Sequence, residues 1–201
     1  MRKLGKDFYQ RENVLSIAKE LLGKLLVTKR AGVTTTGRIV EVEAYNGVID
    51  NASHAFGGRR TNRNEVMYAD GGVVYVYLCY GIHHLFNVVT HSKETPHAIL
   101  IRALEPVKGI DEMLRRTGKK KLDHTLTRGP GNLSKAMGIA VLHSGCSLQS
   151  KELFLADDGF EYGKNEIAAS PRIGVDYAGK DALLHYRFYI KGNPFVSGKP
   201  K

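Results

Sequence analysis

The chain has 201 residues, of which 42% are hydrophobic and 25% are charged, so its composition is that of a soluble globular protein and not of a disordered one. The 30 Lys and Arg residues outnumber the 20 Asp and Glu residues, and the net charge of +10 favours a polyanionic partner, with nucleic acid as the first candidate. No apolar segment approaches transmembrane length and no signal peptide is recognisable, so we expect a cytoplasmic protein that makes no membrane contact.

The element pattern mixes short strands with a few helices. Apolar residues at helical spacing predict helices over residues 14–22, 109–116 and 132–137, the last opened by a tight turn at residues 128–131. Apolar runs predict strands over residues 25–28, 37–45, 73–80, 85–90, 98–104 and 185–190. Because the order has no βαβ rhythm, we predict one α+β domain over residues 1–201, with a mixed, curved, antiparallel-rich sheet and flanking helices.

Three local signals add detail to this plan. Gly81 interrupts the most apolar and aromatic run of the chain, which predicts a protruding β-hairpin with Tyr80 near its tip. The pair Glu105-Pro106 is expected to end the strand over residues 98–104. Residues 50–64 are expected to form a loop or a short helix around a basic, glycine-led turn.

Cysteine and histidine usage argues against a disulfide or a metal site. Cys79 and Cys146 are far apart and form no C-x-x-C pair, so we expect two buried free thiols. The eight histidines lack ligand spacing, since the adjacent His83 and His84 would point to opposite faces of a strand. No nucleotide-binding glycine loop is present, and we expect no metal and no cofactor.

The strand over residues 37–45 carries an unusual pair of acids. Strict alternation would point Val40, Val42 and Ala44 to the core, and would place Glu41, Glu43 and Tyr45 together with Ile39 on the other face. A plain polar face of an edge strand would give the same pattern, and so would an ion pair between Glu43 and a basic residue. A carboxylate on a rigid strand can also stabilise positive charge on a sugar.

Arg102 lies inside an otherwise apolar predicted strand, where an arginine is costly unless it is paired. A carboxylate such as Glu43 is a suitable partner. A structural arginine whose head reaches solvent is the alternative.

Several segments together resemble the alkyladenine (3-methyladenine) DNA glycosylases of the vertebrate type, nearly along the whole chain. These segments are residues 38–45, Ser53-His54, residues 58–64, residues 75–81, Asn87, residues 101–106, residues 172–175 and residues 187–197. The resemblance implies a monofunctional enzyme of base excision repair that flips a damaged purine out of duplex DNA and hydrolyses the bond between base and sugar. It also agrees with the expected absence of a metal and a cofactor. We further expect a monomer, because binding one lesion requires only one copy, and a cytoplasmic location of bacterial type with action at the nucleoid.

The resemblance also assigns roles to individual residues. It implies that Glu43 is the catalytic carboxylate and that Arg102 and the main chain of Ile173 help to position the nucleophilic water. The residues that match the base pocket are Tyr45, His54, Tyr77 and Asn87. Tyr80 matches the side chain that intercalates into the duplex, and the neighbouring Ile82 and His83 are expected to support it. Without the resemblance, Tyr77 would be read as a core residue and Tyr80 as an apolar hairpin tip or a partner contact.

Basic residues give weaker signals. Arg59, Arg60 and Arg63 are candidates for DNA contact, although they fit the architecture of their loop equally well. The run over residues 115–121 is expected to be a solvated face.

Two other functions fit parts of the sequence. A non-catalytic protein that binds damaged DNA could use the same wedge, and it would be favoured if Glu43 or Arg102 were absent. A hydrolase of small glycosides could use Glu41 and Glu43 as an inverting pair of carboxylates, but the net charge of +10 argues against this function.

Overall fold

The computed structural model describes residues 1–198. The strands are β1 (Arg2–Lys3), β2 (Leu25–Arg30), β3 (Val33–Tyr45), β4 (Val74–Cys79), β5 (His83–Thr90), β6 (His97–Lys108), β7 (Leu153–Asp157), β8 (Ile167–Ser170) and β9 (Arg187–Ile190). The α-helices are α1 (Lys6–Tyr9), α2 (Val14–Leu21), α3 (Ile110–Thr117) and α4 (Pro130–Met137). Short 3₁₀ segments span Gly47–Ile49, Phe56–Gly58, Glu65–Tyr68, His124–Leu126, Val141–His143, Lys164–Glu166 and Asp176–Leu183.

One sheet organises the fold, with the strand order β1-β7-β2-β3-β6-β5-β4. The strand β9 pairs with both β3 and β8, so the sheet branches at β3. Every strand pair of the described residues is antiparallel. The predicted α+β class and the antiparallel-rich sheet are confirmed.

The main hydrophobic core lies between this sheet and the helices. Asn13 caps α2 by accepting a hydrogen bond from the N–H of Ser16 at 3.0 Å, and Ile17 and Leu21 are completely buried on the face toward β3. α4 begins two residues before the predicted start, because Pro130 is well suited to the first turn of a helix, and it packs against β5 and β6.

The strand β3 is buried on both faces, which corrects the predicted alternation. Residues Ile39 to Ala44 are all completely buried, and Ile39 belongs to the same core cluster as Val40 and Val42. The register with β6 shifts on either side of Glu41, since Ile39 pairs with Leu104, Glu41 with Ala103 and Val42 with Ile101. A local bulge therefore places Ile39 in the core, while Glu41, Glu43 and Tyr45 remain neighbours.

The predicted hairpin is formed by β4 and β5. Tyr80 and Gly81 have φ values of 51° and 73°, and the N–H of Ile82 donates to the carbonyl of Cys79 at 3.2 Å. Two central residues with positive φ define a primed turn, whose twist matches that of the paired strands. Tyr80 is 90% exposed at the tip.

Two predictions on elements and residues are wrong, and three strands were missed. β6 continues through Glu105 and Pro106 to Lys108, because β5 pairs only with residues up to Leu100 and the missing N–H of Pro106 interrupts no ladder on that side. The strands β1, β7 and β8 were not predicted. Cys146 is exposed and Cys79 is only half-buried, whereas both were expected to be buried; both are free thiols as expected.

Residues 1–198 contain no helix that is long and apolar enough to cross a membrane. In the same part of the chain, no group of three or more His, Cys, Asp or Glu side chains is arranged to hold a metal ion.

Candidate active site

A cavity of about 310 Å³ opens between the hairpin, the end of β3 and the loop around residue 173. Its walls are mainly aromatic and aliphatic, with polar groups from the tyrosine hydroxyls, His54, Asn87 and Arg102, as is usual for a pocket that binds a small molecule. The lining residues are Tyr45, Ala52, His54, Met67, Tyr75, Tyr77, Cys79, Tyr80, Leu85, Asn87, Ala98, Leu100, Arg102, Ile173, Gly174, Val175 and Tyr177.

Glu43 lies directly behind this wall and is completely buried. Its Oε1 accepts a hydrogen bond from the N–H of Ile173 at 2.7 Å, and its Oε2 accepts one from the Tyr45 hydroxyl at 2.9 Å. Arg102 Nη1 lies 3.2 Å from the same Oε2. All three donors belong to residues that line the cavity. Three hydrogen bonds therefore hold the Glu43 carboxylate against the cavity wall.

Arg102 bridges the two acids of β3. Its Nε donates to Glu41 Oε1 at 3.0 Å, and its Nη2 donates to the Ser197 hydroxyl at 3.2 Å. Burial alone would lower the pKa of Arg102, but the charges of Glu43 and Glu41 outweigh burial and raise the pKa above its usual value. The predicted pairing of Arg102 with Glu43 is present in the structure.

Glu41 has different surroundings. Its oxygens also accept hydrogen bonds from Arg187 Nε at 2.7 Å, from the Ser197 hydroxyl at 2.9 Å and from the Ser197 N–H at 2.6 Å. Of these partners and Arg102, only Arg102 lines the cavity. Glu41 therefore joins β3, β6, β9 and the C-terminal segment, and the predicted inverting pair lacks a second carboxylate with cavity contacts.

A second buried ion pair fixes the loop that carries Ile173. The Arg172 guanidinium donates to both carboxylate oxygens of Asp50 and to the carbonyl of Ala44 at 3.0 Å. It also lies 4.9 Å from the ring centre of Tyr45. Arg172 thus holds the N–H of Ile173 close to Glu43.

Comparison with known proteins gives the family. The family described as methylpurine-DNA glycosylase matches residues 7–194. The chain belongs to the methylpurine-DNA glycosylase family.

Relatives in three bacteria align over nearly their full length, and each bears the name "putative 3-methyladenine DNA glycosylase". The protein of Clostridium perfringens (strain 13 / Type A) is 45% identical over 98% of this chain and 100% of its own length. The protein of Bacillus cereus (strain G9842) is 48% identical over 96% and 98%, and that of Chlamydia felis is 45% identical over 93% and 95%.

The four residues predicted for the base pocket of this methylpurine-DNA glycosylase family member all line this cavity: Tyr45, His54, Tyr77 and Asn87. Ile173, whose main chain was expected to help position the water, lines the same cavity. His54 and Tyr77 contact each other, with ring centres 4.7 Å apart and ring planes at 71°. The Asn87 amide nitrogen donates to the carbonyls of Tyr75 at 3.2 Å and Leu85 at 3.1 Å, which fixes the orientation of this side chain.

Charge states in the cavity follow from burial. Burial, and then the charge of Glu43, raises the pKa of Tyr45 well above its usual value, so its hydroxyl keeps the proton that it donates to Glu43. Burial, followed by the charges of Arg63 and Arg59, lowers the pKa of His54 to about 4. His54 is therefore neutral at pH 7.

The residues predicted to intercalate or to contact DNA lie on the rim. Tyr80 lines the cavity mouth, and Ile82 is 71% exposed on the same turn. His83 is exposed and packs against Gly131 at the start of α4, where an added Cβ would come within 2.7 Å of its ring.

The three arginines of the loop differ from one another. Arg60 pairs with Glu65 at 2.6 Å and with Glu94 at 2.5 Å, which favours a role in loop architecture. Arg59 and Arg63 are exposed and form no ion pair within residues 1–198, and Arg63 lies 5.1 Å from the ring centre of Tyr77.

Sequence reasoning missed two aromatic residues of the cavity. Tyr75 could have been found from its i, i+2 spacing to Tyr77, which places both on one face of β4. Tyr177, whose hydroxyl donates to the carbonyl of Ala52 at 3.2 Å, carried no such signal.

Proposed function

We propose that this chain is a monofunctional DNA glycosylase of base excision repair that flips and hydrolytically excises alkylated or deaminated purines. 3-Methyladenine and 7-methylguanine are the first candidate lesions, and hypoxanthine and ethenoadenine are further candidates. The observation that carries the proposal is the Glu43 carboxylate, held by Ile173, Tyr45 and Arg102 at the wall of an aromatic cavity. The names of the bacterial relatives support the lesion class.

Glu43 has two tasks in the proposed reaction. When the bond between C1′ and the base nitrogen breaks, the electron pair leaves with the base and positive charge develops on the sugar. The Glu43 carboxylate stabilises this charge and takes a proton from the attacking water, whose oxygen forms the new bond to C1′. The products are the free base and an abasic site.

The hydrogen bonds of Glu43 support this role. A carboxylate has about four acceptor positions, and three of them are used by Ile173, Tyr45 and Arg102 within residues 1–198. The remaining position is on Oε1, which accepts only the N–H of Ile173. A water molecule bound at this position would direct one of its protons at the Glu43 carboxylate, which acts as the general base.

The cavity suits an electron-poor purine. The rings of Tyr45, Tyr77 and His54 offer flat surfaces, and aromatic rings attract a cationic partner through their negative faces. Because His54 is neutral at pH 7, it does not repel a cationic alkylated purine.

Duplex DNA that contains a damaged purine is the proposed partner of a monomeric enzyme acting at the bacterial nucleoid in the cytoplasm. Extrusion of a nucleotide costs a few kcal/mol of stacking and pairing, which the aromatic cavity and a side chain in the vacated position offset. Tyr80, exposed at the hairpin tip and adjacent to the cavity, is the proposed side chain. No lysine is among the residues found to line the cavity in the described part of the chain, which supports hydrolysis by water and not cleavage through a Schiff base.

The test is base release from duplex DNA carrying alkylated purines, with a chelator present, for wild type and Glu43→Gln. The amide keeps the shape of the side chain but cannot take a proton from water. We expect Glu43→Gln to lose at least about a hundredfold in the rate of base release, because general-base catalysis contributes at about this level. Binding to the damaged duplex is expected to persist.

One observation favours a second candidate, a non-catalytic protein that binds damaged DNA. Glu43 is completely buried and paired with Arg102, as a purely structural carboxylate would be. Tight binding to damaged duplex without base release by the wild type would favour this second candidate. Release from free nucleosides at the rate seen with duplex DNA would instead indicate a small-molecule hydrolase.

A further inference from the structure

Asp50 and Arg172 form a buried ion pair behind the cavity wall. The side chain of Arg172 is 0% exposed and that of Asp50 is 1% exposed. The guanidinium donates to both carboxylate oxygens of Asp50, which is its only ion-pair partner within residues 1–198. The nearby Asp181 carboxylate instead accepts hydrogen bonds from Asn51. One carboxylate, that of Asp50, therefore compensates the charge of Arg172.

This pair lies against an aromatic ring of the cavity. The central guanidinium carbon of Arg172 lies 4.9 Å from the ring centre of Tyr45, a distance at which a cation contacts the face of a ring. Tyr45 lines the cavity, whereas Arg172 and Asp50 do not. The guanidinium therefore contacts the Tyr45 ring from outside the cavity.

Arg172 keeps its positive charge in this position. Burial alone would lower the pKa of its guanidinium, but the hydrogen bonds and the charge of Asp50 outweigh burial and raise the pKa above its usual value. A buried charge acts on a neighbouring ligand more strongly than a charge in water, because the effective dielectric constant is lower. Without Asp50, Arg172 would repel a cationic base stacked on Tyr45 and would hardly affect a neutral one.

The other buried charges next to the cavity are already balanced. Glu41 and Glu43 pair with Arg102, and Glu41 also pairs with Arg187, so this cluster holds two negative and two positive charges. It has no spare carboxylate that could replace Asp50. Removal of the Asp50 charge would leave one uncompensated positive charge beside the cavity.

We propose that Asp50 is a specificity-determining residue, which neutralises Arg172 behind Tyr45 and thereby allows the cavity to accept cationic purines. The inference rests on the proposed glycosylase function and names a residue that selects among its substrates. Asp50 acts through Arg172 and Tyr45, so it is a positioning residue and not a catalytic one.

Asp50→Asn tests the proposal, because the amide keeps the shape of the side chain but removes its charge. In the Glu43→Gln background, fluorescence anisotropy with undamaged duplex as competitor measures the affinities for two duplexes. One contains 7-methylguanine, whose base is cationic, and the other contains hypoxanthine, whose base is neutral. We expect Asp50→Asn to weaken binding of the first duplex about tenfold more than that of the second, as a unit charge roughly 8 Å away would at an effective dielectric constant of about 30. Equal losses for both duplexes would overturn the proposal.

Variants of Arg172 separate the effect of charge from that of structure. Asp50→Asn/Arg172→Gln removes both charges, so we expect the ratio of the two affinities to return to that of the background, even if both affinities fall. A ratio that stays low in this double variant would indicate a purely structural role. Arg172→Gln alone removes the positive charge and should not lower the ratio, so a fall like that expected for Asp50→Asn would also overturn the proposal.

Asp158→Asn is the matched control. It removes the carboxylate that pairs with Arg38 at 2.8 Å, and neither residue lines the cavity. This variant should leave the ratio of the two affinities unchanged. If the wild type releases neither base, the glycosylase function is wrong, but the affinities still decide the role of Asp50 because they require no bond cleavage.

Discussion

At the scale of single residues, Glu41 and Glu43 of β3 have different partners, which assigns a structural role to Glu41 and a chemical role to Glu43. Glu41 accepts hydrogen bonds from two arginines and from Ser197, whereas Glu43 contacts three residues of the cavity wall. Both side chains are completely buried, so burial alone does not distinguish them. The residues that donate hydrogen bonds to them distinguish the two acids.

This division predicts that two isosteric substitutions lower the free energy of unfolding by different amounts. Glu41→Gln should lower the free energy of unfolding by about 3–5 kcal/mol, because it leaves the buried charges of Arg102 and Arg187 without full compensation. Glu43→Gln should lower it less, since Arg102 retains Glu41 as a partner. Urea unfolding of both variants measures the difference. A larger loss in Glu43→Gln would contradict the structural assignment of Glu41.

At the scale of elements, the hairpin of β4 and β5 presents an aromatic ring on a strained turn. Tyr80 has a positive φ, which costs a residue other than glycine roughly 1–2 kcal/mol. Strain of this kind persists where the surrounding structure enforces it, and it is common at functional sites. The ring gains no burial in return, because it is 90% exposed.

Tyr80→Asn removes the aromatic ring but preserves the turn, because asparagine tolerates a positive φ better than most residues. We expect its melting temperature to equal or exceed that of the wild type, and its rate of base release from damaged duplex to fall about tenfold, as expected for the loss of one stacking contact. Differential scanning calorimetry and the base-release assay check the two parts. Unchanged base release would show that the hairpin tip does not intercalate.

Much of the element plan could be predicted because the relevant signals are local. The spacing of apolar residues identified α2, and Gly81 identified the hairpin. The bulge that brings Ile39 into the core could not be predicted, because it depends on how β3 and β6 are paired and not on the alternation within β3. The strand β8 was missed for a related reason: its four residues gain their strand character from pairing with β9.

The same limit applies to the candidate site, where contacts between residues that are distant in the chain could not be predicted. The pairing of Arg102 with a carboxylate could be predicted, because a buried arginine needs one. The role of Arg172 could not, since it depends on Asp50, which is 122 residues away in the chain. The hydrogen bond between Tyr75 and His54 likewise joins a residue of β4 to a loop residue, and no sequence signal links the two.

At the scale of the whole molecule, the net charge of +10 does not mean that every basic residue is available to bind DNA. Arg60 is occupied by two carboxylates, while Arg63 has none within residues 1–198 and lies next to the cavity. A phosphate can pair with Arg63 at little cost, but it must compete with Glu65 and Glu94 for Arg60. Net charge alone therefore overstates the number of arginines that are available to DNA.

We expect binding to damaged duplex to weaken steeply as salt rises, because contacts to phosphates release counterions. Arg63→Ala should reduce the slope of log affinity against log salt by about one, and Arg60→Ala should reduce it less. Fluorescence anisotropy over a series of salt concentrations measures both slopes. Equal reductions in the two variants would contradict the distinction drawn from their ion pairs.

The contact between Glu43 and the N–H of Ile173 joins positions that are 130 residues apart in the chain. Glu41, in the same strand, depends on Ser197, which lies 156 residues further along the chain. During synthesis from the N-terminus, the strand that bears both acids therefore leaves the ribosome long before their partners. Buried carboxylates without their partners are unfavourable, so the surroundings of both acids can form only after residues 173 and 197 have been synthesised.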